Sequence, residues 1–161
     1  MQNCVRQYIE EHAPKCYDPI LEIGSYRVDG QEELANMRPF FPDHYTGLDT
    51  RIGLGVDCNA MGESLPFRNE TFKTVLCLET LEHCKYPLLI MDEIHRVLVP
   101  KGILIFSVPF YFEVHGYPSD YWRFTPACVR EILLKIFRKK SIIQYPKNTT
   151  KPISVLGWAQ K

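Results

Sequence analysis

Short apolar runs alternate along the chain with stretches whose apolar residues recur at helical spacing. The runs predict buried strands at 19–23, 44–48, 56–59, 74–78 and 103–108. The helical spacing predicts helices over 2–12, 31–37, 86–98 and 126–138, and Pro39 is expected to end the second of them. Thr125 and Pro126 are residues typical of a helix N-terminus. Two closing strands, 141–145 and 153–158, are expected to form an antiparallel pair at one edge of the sheet.

Strands separated by helices imply crossover connections and a doubly wound α/β fold. The central strands are apolar on both faces, which is typical of a parallel sheet covered by helices. No linker or repeat divides the sequence, so residues 1–161 are expected to form a single domain. In such sheets ligands bind beyond the carboxyl ends of the strands. Functional residues are therefore expected in the segments that follow the strands: 22–26, 49–51, 60–62, 79–83 and 109–111.

Composition narrows the classes of function. Apolar residues make up 45% of the chain, and 19 basic residues balance 19 acidic ones. A net charge of zero argues against a general nucleic-acid or membrane-surface binder, which needs a basic excess. No apolar run approaches the ~20 residues of a membrane span, and the N-terminus lacks the apolar core of a signal peptide, so we expect a cytoplasmic protein.

The six cysteines are expected to be reduced thiols, because no pair shows the spacing of a zinc site. Only Cys77, His83 and Cys84 lie near one another, and their spacing matches no common site. The sequence therefore predicts no metal ligands.

The turn after the first strand decides which ligand the domain can hold. Gly24 is followed by no glycine until Gly30, so the turn lacks a dinucleotide fingerprint, and a Walker loop is absent from the sequence. Instead, Glu22 and Asp49 lie at the ends of neighbouring strands. Carboxylates suit hydroxyl or ammonium groups and repel phosphates, so a nucleoside without phosphates that bears an amino-acid tail fits. Alternatively, both acids merely cap the following turns.

The wider pattern resembles the class I S-adenosylmethionine-dependent methyltransferases, in particular the type 11 group. The resemblance covers about residues 19–125 and rests on segments in the expected order: 20–25, 45–49, 65–67 with 71–72, 81–83, 93–102 and 107–109. It implies a compact Rossmann-like domain with a mostly parallel, seven-stranded sheet, helices on both faces and S-adenosylmethionine as cofactor.

The resemblance also implies roles for individual residues around that cofactor. The methionine moiety would pass over Gly24, with Glu22 orienting it and Ser25 and Tyr26 lining it. Asp49, followed by Thr50, would accept the ribose hydroxyls. Leu78 and Glu79 would line the floor near the sulfonium. Met61 and Gly62 would contact adenine, and Met61 stands where the family often has an aspartate.

The methyl acceptor is expected at the aromatic segment 109–125, which follows the fifth predicted strand. Aromatic faces attract a sulfonium cation and exclude water. The candidate acceptor-binding residues are His83, Phe110, Tyr111, Tyr121, Trp122 and Arg123. His115 is the candidate general base for a hydroxyl acceptor, and His83 is second. The alternative for Asp120 and Arg123 is an internal ion pair within a packed loop.

The function expected from these observations is methyl transfer to a small-molecule or glycan acceptor, with oxygen favoured because no motif of amino-group methylation is visible. Only segment 1–18 precedes the first predicted strand, which predicts an open pocket, a large acceptor, or closure of the pocket by a second subunit in a homodimer. Two other functions stay open. One is a cofactor-binding partner or regulatory subunit with weak or no catalysis, and the other is a nicotinamide-dependent oxidoreductase, which the missing glycines disfavour.

Overall fold

A seven-stranded sheet forms the centre of the molecule. The structure, a computed structural model, describes residues 2–41, 43–116 and 119–161. The strands are β1 (Ile20–Ile23), β2 (Tyr45–Asp49), β3 (Cys58–Asn59), β4 (Phe72–Leu78), β5 (Leu98–Pro109), β6 (Lys139–Tyr145) and β7 (Ser154–Gln160). Their order across the sheet is β3-β2-β1-β4-β5-β7-β6. The first five strands are parallel, and β7 is antiparallel to both β5 and β6. This confirms the predicted doubly wound, mostly parallel sheet and its antiparallel pair at one edge.

Helices cover both faces of the sheet because its central strands are apolar on both sides. Alternate residues of β4 belong to different cores: Val75 and Cys77 pack on one face, and Leu76 and Leu78 on the other. Helix α1 (Asn3–His12) covers the second face. Helix α2 (Pro87–Val97) covers the first face with a stripe of buried residues, namely Pro87, Ile90, Met91, Ile94 and Val97. Each such aliphatic side chain contributes roughly 1.5–3 kcal/mol when it is fully buried.

The helix predicted over 31–37 is wrong. The segment consists of turns, and only the short 3₁₀ helix Arg38–Phe40 follows it. Arg6 gives the physical reason: its guanidinium donates to the carbonyl oxygens of Glu33, Leu34 and Asn36 at 2.7–3.2 Å. These contacts turn the carbonyls at the end of the segment toward α1, and the Glu33 carbonyl accepts the Asn36 amide at 3.3 Å, which is a turn contact and not the bond of an α-helix.

The predicted helix over 126–138 is shorter than expected. Helix α3 covers only Pro126–Cys128 and continues as one π-helical turn, Val129–Leu133. Its start is as predicted, since the Thr125 hydroxyl accepts a hydrogen bond from the Cys128 amide. Strand β5 also begins earlier than predicted, at Leu98, because the segment 100–102 forms an irregularity within the strand pairing instead of ending it.

An ion pair on α2 fixes the segment that enters β4. Arg96 binds both oxygens of Glu93 at 2.6 and 2.7 Å and also donates to the carbonyls of Leu65 and Phe67. Glu93 in turn accepts the Leu65 amide at 2.7 Å. Glu93 and Arg96, which belong to the segment 93–102 of the family resemblance, therefore stabilise the fold and hold the segment 65–69 against α2. Within the described residues, none of the helices has the length and apolar character needed to cross a membrane.

Candidate functional site

A cleft of about 340 Å³ opens at the carboxyl ends of β1, β2 and β4. This is the edge where the switch in strand order places ligands in doubly wound sheets. Eight residues predicted to contact cofactor or acceptor line it: Gly24, Asp49, Thr50, Met61, Gly62, Glu79, His83 and Tyr121. The other predicted site residues do not line it: Glu22, Ser25, Tyr26, Leu78, Phe110, Tyr111, His115, Trp122 and Arg123. The cleft is thus built mainly from the predicted cofactor side of the site.

Gly24 forms the first turn and has a conformation that favours glycine. Its φ is +84°, and a Cβ placed on it would lie 2.2 Å from the Thr80 hydroxyl oxygen. That hydroxyl is fixed, because it donates toward the carbonyls of Ile23 and Leu78. The turn after β1 can therefore lie against the end of β4 only when its first residue has no side chain.

Glu22 and Ser25 lie beneath this turn. Glu22 is buried, and its Oε2 accepts the Tyr45 hydroxyl at 2.6 Å. Burial raises the pKa of the Glu22 carboxyl to about 7, against the lowering effect of the Tyr45 hydrogen bond and of Arg38 and Arg27. Ser25 is also buried, and its hydroxyl has no hydrogen-bond partner among the described residues. Both side chains lie outside the cleft lining.

Asp49 ends β2 inside the cleft, and its carboxylate already holds four donors. Arg51 contributes three of them, with its amide at 2.9 Å, Nε at 3.0 Å and Nη2 at 3.2 Å, and the Tyr26 amide is the fourth, at 3.2 Å. The Arg51 guanidinium also lies over the Tyr26 ring, 4.2 Å from its centroid. A carboxylate offers about four lone-pair sites, so Asp49 can bind ligand hydroxyls only when Arg51 gives up part of its contact.

Two further acids, Glu79 and Glu82, lie at the end of β4. Glu82 is fully buried, and neither of its oxygens has a hydrogen-bond partner among the described residues. Glu79 Oε2 accepts a hydrogen bond from the side-chain amide of Gln2 at 3.1 Å. The other carboxylate oxygen, Oε1, has no hydrogen-bond partner among the described residues. Burial raises the pKa of both carboxyls, and the charge of Glu79 raises the pKa of Glu82 further. Buried carboxylates without partners are costly, so this edge of the cleft favours a cation.

The described residues of the segment 109–125, namely 109–116 and 119–125, include several that contact this acidic edge. Asp120 and Arg123 form an ion pair through both carboxylate oxygens, at 2.5 and 2.6 Å, and Arg123 holds the pKa of Asp120 down to about 2. The Tyr121 amide donates to the Glu82 carbonyl, and the Trp122 indole donates to the Cys84 carbonyl. The structure thus shows the packed loop with an internal ion pair that sequence analysis offered as the alternative for Asp120 and Arg123.

Comparison with known proteins identifies the family. The methyltransferase domain model of the type 11 group matches residues 28–106, which include β2 to β4, α2 and most of β5. The chain belongs to the class I S-adenosylmethionine-dependent methyltransferases.

Solved structures share the fold of this methyltransferase domain. One is the 1,6-didemethyltoxoflavin-N1-methyltransferase of Burkholderia thailandensis, which is 17% identical to this chain. The alignment covers 99% of this chain and 77% of the methyltransferase, with a TM-score of 0.72. Another is the cyclase SpnF, which is 15% identical. The alignment covers 98% of this chain and 80% of SpnF, with a TM-score of 0.68. An uncharacterised protein of Methanocaldococcus jannaschii is 50% identical over 44 residues, which are 27% of this chain and 19% of that protein.

Several residues of the methyltransferase cleft have no individual role in the sequence-based prediction. Arg51 and Thr80 make the decisive contacts with Asp49 and Gly24, and Lys85 and Tyr86 line the wall near His83. Arg51 and Thr80 lie in the segments 49–51 and 79–83, where functional residues are expected from the strand ends, but no pattern in the sequence assigns either of them a contact.

Proposed function

We propose that this cleft binds S-adenosylmethionine and that the chain transfers its methyl group to the oxygen of a small-molecule or glycan acceptor. The observation that carries the proposal is the pair of carboxylates, Asp49 and Glu79, in a cleft that is also lined by the apolar residues Ile23, Leu48 and Ile90. Hydroxyl groups suit the first carboxylate, and a positively charged centre suits the second.

The donor set fits this cofactor. Glu79 lines the cleft and its Oε1 has no hydrogen-bond partner among the described residues, so a ligand cation beside it would compensate its charge. Gly24 leaves the turn after β1 open to the cleft, and Met61, 59% exposed, and Gly62 offer an apolar surface and a backbone for the adenine. Asp49 fits the ribose once the Arg51 guanidinium moves from the carboxylate. Binding therefore includes a rearrangement of Arg51 within the cleft.

The protein's part in the reaction is mainly orientation. S-adenosylmethionine would supply an electrophilic methyl group, whose bonding electrons to sulfur stay on sulfur as the acceptor oxygen bonds to the carbon. Holding the acceptor in line with that methyl accounts for most of the acceleration in such displacements. The hydroxyl proton must leave to a group at this edge of the cleft. His83 lines the cleft, whereas His115 lies behind it, with the two ring centroids 5.1 Å apart.

A second candidate function is a cofactor-binding subunit without methyl transfer of its own. The occupation of the Asp49 carboxylate by Arg51 favours this second function. In this function the cleft still binds the cofactor, but no acceptor is methylated by the isolated chain. The leading proposal also includes a homodimer in which the second subunit closes the cleft. Sedimentation velocity measures the mass of the protein in solution and so tests this directly.

Isothermal titration with S-adenosylhomocysteine tests cofactor binding, with NAD⁺ as the competing ligand. Asp49→Ala should weaken binding by about 1–3 kcal/mol, the usual loss for hydrogen bonds to a charged group. Asp92→Ala, an exposed carboxylate on α2, is the matched control and should change nothing. Equal affinity of Asp49→Ala and wild type would refute the ribose assignment.

Isotope-labelled methyl transfer to a panel of acceptors separates the enzyme from the binding subunit, and the ¹³C shift of the product separates O- from N-methylation.

A further inference from the structure

Glu82, His83 and His115 converge behind the cleft, at the junction between the end of β4 and the segment 109–125. One ligand atom from each side chain can be chosen so that all three lie within 4.8 Å of one another. The Glu82 Oε1 is 3.7 Å from His83 Nε2. Glu82 is fully buried and neither carboxylate oxygen has a hydrogen-bond partner among the described residues. The fold therefore encloses a carboxylate beside two imidazoles without giving it a donor.

Both imidazoles are oriented by an acceptor on one ring nitrogen. His83 Nδ1 is 2.7 Å from the Ser119 carbonyl oxygen, to which it can only donate. His115 Nδ1 lies 3.2 Å from a carboxylate oxygen of Asp120, whose side chain is 2% exposed. Donation from Nδ1 leaves a lone pair on the Nε2 of each ring. Histidine ligands of metals typically show this arrangement, in which a carbonyl or carboxylate fixes the tautomer.

The charges around the cluster favour a cation. Glu79 is a second buried acid close to Glu82, and Asp120 is a third. Arg123 is the cation that faces them, but its guanidinium is bound to both oxygens of Asp120. Two buried carboxylates, Glu79 and Glu82, thus lack a full counter-charge from this part of the chain.

We propose that Glu82, His83 and His115 bind a divalent transition-metal ion, and that Zn²⁺ suits the set best. Two imidazoles and one carboxylate are the ligands of many catalytic zinc sites, which keep a further position open. Zinc holds nitrogen and oxygen ligands at about 2.0–2.2 Å, so tetrahedral ligand atoms lie about 3.3–3.6 Å apart. The His83–Glu82 distance of 3.7 Å is close to this, and His115, whose ligand atom lies within 4.8 Å of the other two, would move inward on binding the ion.

The open position would face the cleft, because His83 is part of the cleft wall. If the proposed methyl transfer is correct, on which this step rests, the ion would bind the acceptor hydroxyl and make its proton easier to lose, and the proton would pass to solvent water in the cleft. The Nε2 lone pairs of His83 and His115 would both bind the ion, so neither histidine could act as the base. The ion would activate the hydroxyl instead. The acceptor class would be compounds that offer a metal-binding hydroxyl, with a neighbouring oxygen as a second ligand. The sequence predicted no metal site because His115 is far from the other two residues along the chain.

The test starts from full-length protein stripped of metal by a chelator and dialysed. Titration with Zn²⁺ should show one ion per chain, and Co²⁺ should give visible bands of a nitrogen and oxygen site without the thiolate bands that cysteine ligation produces. Glu82→Gln and His115→Gln should each lower Zn²⁺ affinity by more than about 100-fold, since losing an outer partner alone costs about 10–100-fold. His44→Gln is the matched control, since His44 is exposed and pairs with Asp18 elsewhere.

S-adenosylhomocysteine affinity, measured on the same samples, separates the two proposals. Wild-type protein that binds S-adenosylhomocysteine but no Zn²⁺ would overturn the metal site and leave the cofactor site intact. Zn²⁺ binding without S-adenosylhomocysteine binding would overturn the proposed function and leave the metal site. Zn²⁺ affinity unchanged in both Glu82→Gln and His115→Gln would overturn the ligand assignment. Because His115 is partly exposed, its variant keeps the test valid even if Glu82→Gln fails to fold.

Discussion

The buried Glu22 carboxyl should make the stability of the fold depend on pH in a direction opposite to that of most acidic residues. Its side chain lies beneath the turn after β1, and one of its oxygens accepts the Tyr45 hydroxyl at 2.6 Å. Burial raises its pKa from 4.5 to about 7. The folded protein therefore keeps the Glu22 proton over a range in which the unfolded chain has already released it.

The sign follows from the number of protons bound in each state. Between about pH 4.5 and 7 the unfolded chain holds fewer protons than the folded chain, so the free energy of unfolding falls as the pH rises. Each pKa unit corresponds to about 1.4 kcal/mol. The rise from 4.5 to about 7 thus costs roughly 3 kcal/mol of stability once the pH exceeds 7. Below pH 4.5 the contribution disappears.

Glu22→Gln removes this titration and keeps an oxygen that can accept the Tyr45 hydroxyl. Urea unfolding at pH 5 and pH 8 measures the effect, as the difference between variant and wild type at each pH. The free energy of unfolding of the variant, relative to that of wild type, should be roughly 2–3 kcal/mol higher at pH 8 than at pH 5. Glu10→Gln, on the exposed side of α1, is the matched control. A difference between Glu22→Gln and wild type that is the same at both pH values would refute the argument.

Two further predictions concern the cofactor cleft. Gly24→Ala should abolish S-adenosylhomocysteine binding measured by calorimetry, because φ is +84° and the added Cβ would lie 2.2 Å from the Thr80 hydroxyl; normal binding by the variant would show that this turn does not hold the cofactor. Arg51→Met should tighten S-adenosylhomocysteine binding about 1.4- to fivefold, because a partly exposed ion pair with Asp49 contributes about 0.2–1 kcal/mol. Unchanged or weaker binding would mean that Arg51 itself contacts the cofactor.

Periodicity predicted most elements of the fold because their apolar residues face a core formed by the elements themselves. Helices α1 and α2 and the strands of the sheet lie within a few residues of their predicted positions. The segment 31–37 failed because a contact distant in sequence, from Arg6, binds its carbonyls. Local pattern contains no information on such a contact.

The candidate site was predictable only where function follows from position after a strand. Gly24, Asp49 and Glu79 line the cleft as expected from that rule. The occupation of Asp49 by Arg51 could not be predicted, because it depends on a side-chain conformation. The convergence of Glu82 and His83 with His115 depends on how the segment 109–125 folds back over β4, which neither spacing nor composition determines.

The position of β7 between β5 and β6 has a consequence for biosynthesis. All hydrogen bonds that attach β6 to the sheet go to β7, and β7 in turn pairs with β5. While the ribosome has not yet released Ser154–Gln160, β6 has no partner and β5 presents a bare edge of apolar residues. Unpaired strand edges of this kind are where nascent chains aggregate. The β5 edge is thus the surface that a chaperone would need to shield until the final strand emerges.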